Sequence, residues 1–284
     1  MSSACNSIDS TPSFNTASFS HHPDFNHLFK NWPSTLQNFV KMNAITQSIL
    51  NNSKLEIDFI KITNATESSF LISLKGKTTK IGVAKATVSA MTVDMVGPRG
   101  AFGRLNVPEI KMGSFGAADI TIVEQEIAII NMEAFKAFVA SIMQDDQLVM
   151  RLENGQVTVK SMGMTSNIVY NKVLNLRGLK SLETTLLKVE ADDGGVKSTF
   201  SVVNPSQFEV DLGTVIYEVQ DKDGNRIGEQ KGATYVSRGE SSLALHGSVE
   251  GDVSSGETRF VGVDVEEENW LKQIMRSIEV VVTA

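Results

Sequence analysis

Few residues in this chain of 284 are of a kind that does chemistry. His246 stands in Leu245-His246-Gly247 at the end of an alternating apolar run. An imidazole base needs a nucleophile presented to it, and no Ser or Cys elbow accompanies this one, so a structural or exposed role is expected. His21, His22 and His27 lie near the N-terminus without a further ligand at helical or hairpin spacing, which gives no metal site. Cys5 is the single cysteine and can build neither an intrachain disulfide nor a thiolate zinc site. Asp145-Asp146 and Asp192-Asp193 are carboxylate pairs, but neighbours in a turn point apart, and turn chemistry explains both. Glu266-Glu267-Glu268 precedes a helical pattern, where acids complement the helix dipole. Asp221-Lys222-Asp223-Gly224-Asn225 begins like a calcium loop but lacks the distal Glu, and reads as a hairpin. Gly97–Gly103 is glycine-rich without the strand–loop–helix unit and Lys-Ser/Thr of a phosphate cradle. The residues indicate no catalytic, cofactor or metal site, and the expectation is a protein that is not an enzyme.

The elements that would position any site are mostly strands. The organising stretch is Ser201–Leu212, in which Asn204-Pro205-Ser206 interrupts a strand and Phe208, Val210 and Leu212 then alternate with Glu209 and Asp211. Pro205 gives no N–H, so the strand is irregular there or lies at an edge. The same design occurs at Phe59–Leu74, with Asn64-Ala65-Thr66 in place of Asn-Pro-Ser and Phe70, Ile72 and Leu74 alternating. Short alternating runs continue to residue 130 and resume from Leu148, with hairpin signals at Asn154-Gly155 and Asp223-Gly224-Asn225. Ile81–Val96, Phe102–Ile110 and Tyr235–Leu245 each read as one strand. Two segments break the pattern. Met132–Gln144, capped by Asn131, is a helix with an apolar stripe, and Glu268–Ile278 repeats it with Trp270, Leu271, Ile274, Met275 and Ile278. Motifs in the same order at nearly the same separation argue for duplication. The expected division is a flexible tail at 1–31, an amphipathic lead-in helix at 32–50, a first β-sandwich at 51–179 and a second at 180–284, each antiparallel, each with its own core and one late covering helix.

The formal net charge is −7 and it is unevenly spread. Residues 51–180 hold 15 Lys/Arg against 12 Asp/Glu, whereas residues 181–284 hold 9 against 19. An acidic second half argues against nucleic acid, whose affinity rests on phosphate neutralisation. No run reaches the roughly 18 apolar residues of a membrane span. The first thirty residues lack the apolar core of a signal peptide, so a soluble, cytoplasmic chain is expected.

The Asn-Pro-Ser strand, the meander after it and its closing helix resemble a late-embryogenesis-abundant group-2 sandwich, and the first-half runs ITNATESSFLISLKGK, KATVSAMTVDM, GRLNVPEIKM, INMEAFKAFV and LENGQVTVKSMGM resemble more closely a fungal domain family of unknown function. That family is related to the late-embryogenesis-abundant group-2, or water-stress-hypersensitive-response (WHy), proteins. The resemblance spans about Ile45–Ala284 and implies a tandem pair of immunoglobulin-like LEA-2 sandwiches. It also implies an N-terminal anchor and a vacuolar or other endomembrane location, but residues 1–44 contain no span.

Two functions follow as expectations. One is non-catalytic action at or near an endomembrane, with binding of lipid or another apolar ligand. The other is a structural, protein-interaction or stress-protective module without a ligand. For the first, the candidate face is the stripe Met132, Phe135, Phe138, Val139 and Ile142, with Lys75, Lys77, Lys80 and Lys85 supplying attraction to an anionic surface.

Overall fold

Alternating apolar residues build sixteen strands among the described residues. The computed structural model describes residues 34–79, 85–113, 117–192, 194–250 and 257–283. In chain order the elements are α1 (Ser34–Asn52), β1 (Lys54–Thr63), β2 (Ser69–Thr79), β3 (Ala86–Val88), β4 (Met91–Gly97), β5 (Gly100–Val107), β6 (Ile110–Met112), β7 (Ala118–Ala128), α2 (Met132–Gln144), β8 (Gln147–Ser161) and β9 (Met164–Arg177). They continue with β10 (Glu183–Asp192), β11 (Gly195–Asn204), β12 (Phe208–Gln220), β13 (Arg226–Val236), β14 (Gly239–Val249), β15 (Glu257–Val265) and β16 (Glu279–Thr283). Every strand among the described residues lies in the compact unit Met42–Ala284.

The architecture is mainly β, with two sheets in a sandwich-like arrangement. One sheet has the order β10-β11-β14-β13-β12-β1-β2-β7, with β15 and β16 branching from β12. The other is centred on β8, which pairs with β9 along one edge and with β4 and β3 along the other; β5 and β6 extend β4 and β3. The expected boundary at 179/180 falls between β9 and β10. The larger sheet crosses it through a parallel pairing of β1 with β12, where Ile60, Lys61 and Ile62 stand opposite Phe208, Glu209 and Val210. Buried apolar side chains from Leu50 to Val282 form one cluster across the same line.

Helix α2 starts and ends where its sequence says. The Asn131 side chain accepts from the Ala134 N–H at 3.1 Å, Glu133 sits in the first turn, and Lys136 reaches Glu133 at 2.9 Å. Its buried stripe packs on aromatic rings: Phe138 stacks on Phe102 at 4.6 Å and Phe135 on Phe70 at 5.1 Å between centroids. Trp270 meets Phe135 edge-on at 4.7 Å, and its Nε1–H donates to the Ser69 carbonyl at 3.2 Å. Burial of one such ring stabilises by about 1.5–3 kcal/mol. A Cβ at residue 97 would lie 3.0 Å from the Phe138 Cβ, so a larger residue there would displace the Phe138 side chain by a few tenths of an ångström.

Several local expectations need correction. Asn154-Gly155 is a bulge inside β8, where the pairing with β9 shifts between Leu152 and Gly155. The pair supplies a positive φ (64° at Asn154) that a bulge uses as readily as a turn. The hairpin turn is Met162-Gly163, with φ 50° and 78°, a pattern of the I′ kind. The second late helix is two 3-10 turns, Trp270–Gln273 and Met275–Ser277, broken at Ile274 with φ −124°. Its five apolar residues are all buried, so burial and not an α-helical stripe explains their spacing. Tyr235–Leu245 is divided between β13 and β14, with Gly239 at φ 73° after the turn. Phe102–Ile110 divides at Pro108 into β5 and β6. Ile81–Val96 divides into β3 and β4, and residues 80–84 lie outside the described residues. Asn204-Pro205-Ser206 does not interrupt one strand but joins two: Asn204 is the last residue of β11, and β12 begins at Phe208. The Asn204 amide donates to the Phe208 carbonyl at 2.8 Å and accepts from the Ser206 N–H at 3.0 Å. Asn64, at φ 51°, opens the β1–β2 hairpin, whereas Asn204 ends a strand that is not adjacent to the next one.

Candidate functional site

The residues weighed for chemistry are tied into local structure. His246 is exposed on β14, opposite Lys197 of β11 and Lys231 of β13. Asp221 accepts from the N–H groups of Asp223 and Asn225 and from the Asn225 amide; that side-chain bond, first of all, holds its carboxyl below the usual range. Asp146 accepts from the Ser181 hydroxyl at 2.8 Å. Glu266, Glu267 and Glu268 are taken by Lys231, the Thr214 N–H and Lys272. Gly97–Gly103 forms the β4–β5 hairpin. Cys5, His21, His22, His27 and Asp193 lie outside the described residues. Among the described residues no three His, Cys, Asp or Glu side chains group as metal ligands. Among them, too, no helix is long and apolar enough to cross a membrane.

The expected apolar face is turned inward. Phe135, Phe138, Val139 and Ile142 are buried and Met132 is half-buried. Lys75 and Lys77 are exposed on β2, and Lys75 lies 5.9 Å from the Phe59 ring. Lys85 is exposed just before β3, and Lys80 lies outside the described residues. The stripe is buried, and of the three exposed lysines two lie on β2 and one just before β3, which belongs to the other sheet.

A cavity of about 270 Å³ lies elsewhere, inside the strands of the second half. Its walls are Leu182, Val202, Leu212, Val236, Leu243 and Ile278, and Met143 at the end of α2 and Leu179 close one side. Strand alternation turns Val202, Leu212, Val236 and Leu243 inward from β11, β12, β13 and β14. The cavity reaches β10 at Thr184 and β16 at Val280. These two strands lie beside each other without pairing, and each is an edge. Lys180 and Glu279, both exposed, lie on the lining there.

Besides Thr184, Lys180 and Glu279, two buried hydroxyls line this space, those of Tyr217 and Thr234. The Tyr217 hydroxyl, on a side chain 1% exposed, is 3.3 Å from the Thr234 hydroxyl. Thr234 donates to the Gly232 carbonyl at 3.1 Å, so Tyr217 donates to Thr234 and keeps acceptor capacity on its own oxygen. Burial pushes the Tyr217 phenol up to about 12, so it stays neutral at ordinary pH. The space fits roughly nine water-sized groups, and the chemistry it offers is apolar contact, the hydroxyl acceptor of Tyr217, and the polar ends of Thr184, Lys180 and Glu279 on its lining. No sequence signal marks Tyr217 or Thr234, because both occupy ordinary inward strand positions.

A second group escapes sequence reading. Lys172 is 7% exposed, and its ammonium donates to the carbonyls of Leu50 and of Ser53, the latter at 2.7 Å. It closes the C-terminus of α1, where carbonyls lack helical partners. Beside it the Gln47 amide pairs with both the N–H and the carbonyl of Val169, covering the edge of β9 as a strand would. A signal for it exists: Ile168, Tyr170, Lys172, Leu174 and Leu176 are one inward-facing series.

No curated protein matches the chain in sequence. Among solved structures it is similar to a red sea bream transglutaminase, at 13% identity and a TM-score of 0.24, over 81% of this chain and 31% of that one. The chain thus spans about a third of that protein's length. It is also similar to a Salmonella enterica SafA pilin in complex with the SafB chaperone, at 11% identity over 82% and 96% of the two chains, with a TM-score of 0.20. A third is the E. coli chaperone DraB, at 10% identity over 75% and 90%, with a TM-score of 0.21. Scores this low carry no argument about function. Residues 100–219, which run from β5 into β12 and so span the expected 179/180 boundary, match the family described as "Protein of unknown function (DUF3712)".

Proposed function

We propose that the chain is a non-catalytic binding protein that takes a small, mainly apolar ligand between β10 and β16. The observation that supports this is the cavity of about 270 Å³ walled by Leu212, Val236, Leu243 and Ile278, with the Tyr217–Thr234 hydroxyl pair on its lining. Apolar lining with a few placed polar groups is the usual character of a small-molecule site. The ligand class is an alkyl chain or small lipid carrying a hydroxyl or amide N–H that donates to the Tyr217 oxygen. Entry is through the unpaired edges of β10 and β16, past Lys180 and Glu279.

The test is solvent extraction and mass spectrometry of purified protein, followed by displacement of a fluorescent alkyl probe by the recovered compounds. Binding at micromolar concentration is expected, with a loss of about tenfold or more in Leu212→Trp, which fills the space. Thr234→Val, nearly isosteric, should weaken hydroxyl-bearing ligands and leave plain alkyl ones unaffected. Absence of both extracted ligand and probe binding overturns the reading and leaves the structural or interaction module in its place.

A further inference from the structure

We propose that the tip of the β8–β9 hairpin and the adjoining ends of β3 and β6 form a docking surface for an anionic lipid bilayer. The proposal stands apart from the cavity, since none of its residues lines that space. Met162 occupies the turn and is 80% exposed; Met164, two residues on, is 49% exposed. A turn needs small or polar residues with positive φ, and Gly163 meets that need while Met162 does not. An unbranched apolar side chain held out at a tight turn gains nothing in water and gains free energy when it enters an apolar phase.

The charge beside the tip points the same way. Sheet register sets Thr87 of β3 between Lys160 of β8 and Lys111 of β6. Lys85 stands two residues before Thr87, with its carbonyl accepting from the Ser161 hydroxyl at 2.9 Å. Lys85, Lys111, Lys160 and Met162 line one shallow depression. Glu109 approaches Lys111 at 3.5 Å, with both side chains exposed. Among the described residues neither Lys85 nor Lys160 has a carboxylate partner.

Strands separated by about 4.8 Å put the Lys111 and Lys160 backbones roughly 10 Å apart. Cations spread over a sheet face beside an exposed apolar tip match an array of lipid phosphates with acyl chains beneath them. Nucleic acid would leave Met162 without an apolar environment. The remainder of the protein, net negative and most so beyond residue 180, is repelled by such a surface, so this end alone is presented to it.

The full chain should co-sediment with vesicles of phosphatidylcholine containing 30% phosphatidylserine at low salt, and not with pure phosphatidylcholine or at high salt. Replacing Lys85, Lys111 and Lys160 together by Gln should lower the apparent affinity on the order of 100-fold, since one well-placed lysine contributes roughly a fivefold factor at an anionic surface. Met162→Ser should lower it severalfold. Met162→Trp should show a blue-shifted emission increment with the anionic vesicles. Lys75→Gln with Lys77→Gln, equally exposed but on β2, should bind as the parent does. The proposal is overturned if the parent does not sediment with anionic vesicles, or if the triple variant sediments like the parent. Calorimetric binding of inorganic phosphate without vesicle binding would likewise replace it with a small-anion site.

Discussion

Lys172 makes the stability of this protein depend on alkaline pH in a direction that can be stated beforehand. Burial lowers its amine from an ordinary 10.5 to about 8. Below pH 8 the group is charged in both folded and unfolded chains, and the folded chain bears the cost of a buried ammonium held by two carbonyls and the Tyr170 ring at 5.9 Å, without a carboxylate among the described residues. Between pH 8 and 10.5 the unfolded chain still binds the proton and the folded chain has released it. Unfolding then takes up a proton, so stability rises with pH across that window. Each pH unit between the two values is worth roughly 1.36 kcal/mol, which makes the full difference about 3 kcal/mol. Solvent near the site screens part of it, and about 1–2 kcal/mol is the expected gain. The assay is urea unfolding at pH 7 and pH 10 for the parent and for Lys172→Met. Other titrating groups are common to both proteins, so the difference between their pH responses isolates Lys172. The parent should gain about 1–2 kcal/mol relative to the variant on going to pH 10. An equal pH response in the two proteins, or a larger gain in the variant, refutes the reasoning.

Phe138→Ala should destabilise by about 3–5 kcal/mol in thermal or urea unfolding, because it empties the space between Phe102 and Gly97. Trp270→Ala should cost about the same, and a double-mutant cycle with Phe135→Ala should return a coupling of about 0.5–1.5 kcal/mol for the edge-on pair. Ser198→Ala should leave stability unchanged or raise it by about 1 kcal/mol, since the Ser198 hydroxyl is fully buried with no hydrogen-bond partner among the described residues. Gly178→Ala should cost about 3 kcal/mol or prevent folding, because a Cβ there would lie 1.9 Å from the Asp145 carbonyl oxygen.

Local periodicity is enough to place α2 to the residue and to mark the chain as mainly strand, because each depends on which side of one element faces the core, but it merges β3 with β4, β5 with β6 and β13 with β14. Turn type is less legible. Asn154-Gly155 and Met162-Gly163 both supply positive φ, and only the partner strand decides which becomes a bulge and which a hairpin. The helix stripe is legible as apolar but not as inward or outward, since Phe135 and Phe138 read alike against a core or a membrane; the rings of Phe70, Phe102 and Trp270 decide it.

The two halves read as separate modules because motif order is all that a sequence shows of a repeat. The β1–β12 pairing and the Trp270 contacts join residues that lie about 150 to 200 positions apart, and no local pattern encodes such a pairing. The cavity belongs to the same class. Leu212, Val236, Leu243 and Ile278 are ordinary inward residues of separate strands, and the space among them exists because β10 and β16 meet without pairing. Sequence by itself determined which residues avoid water; how distant strands meet, and so where space and charge are left over, was decided by the tertiary structure.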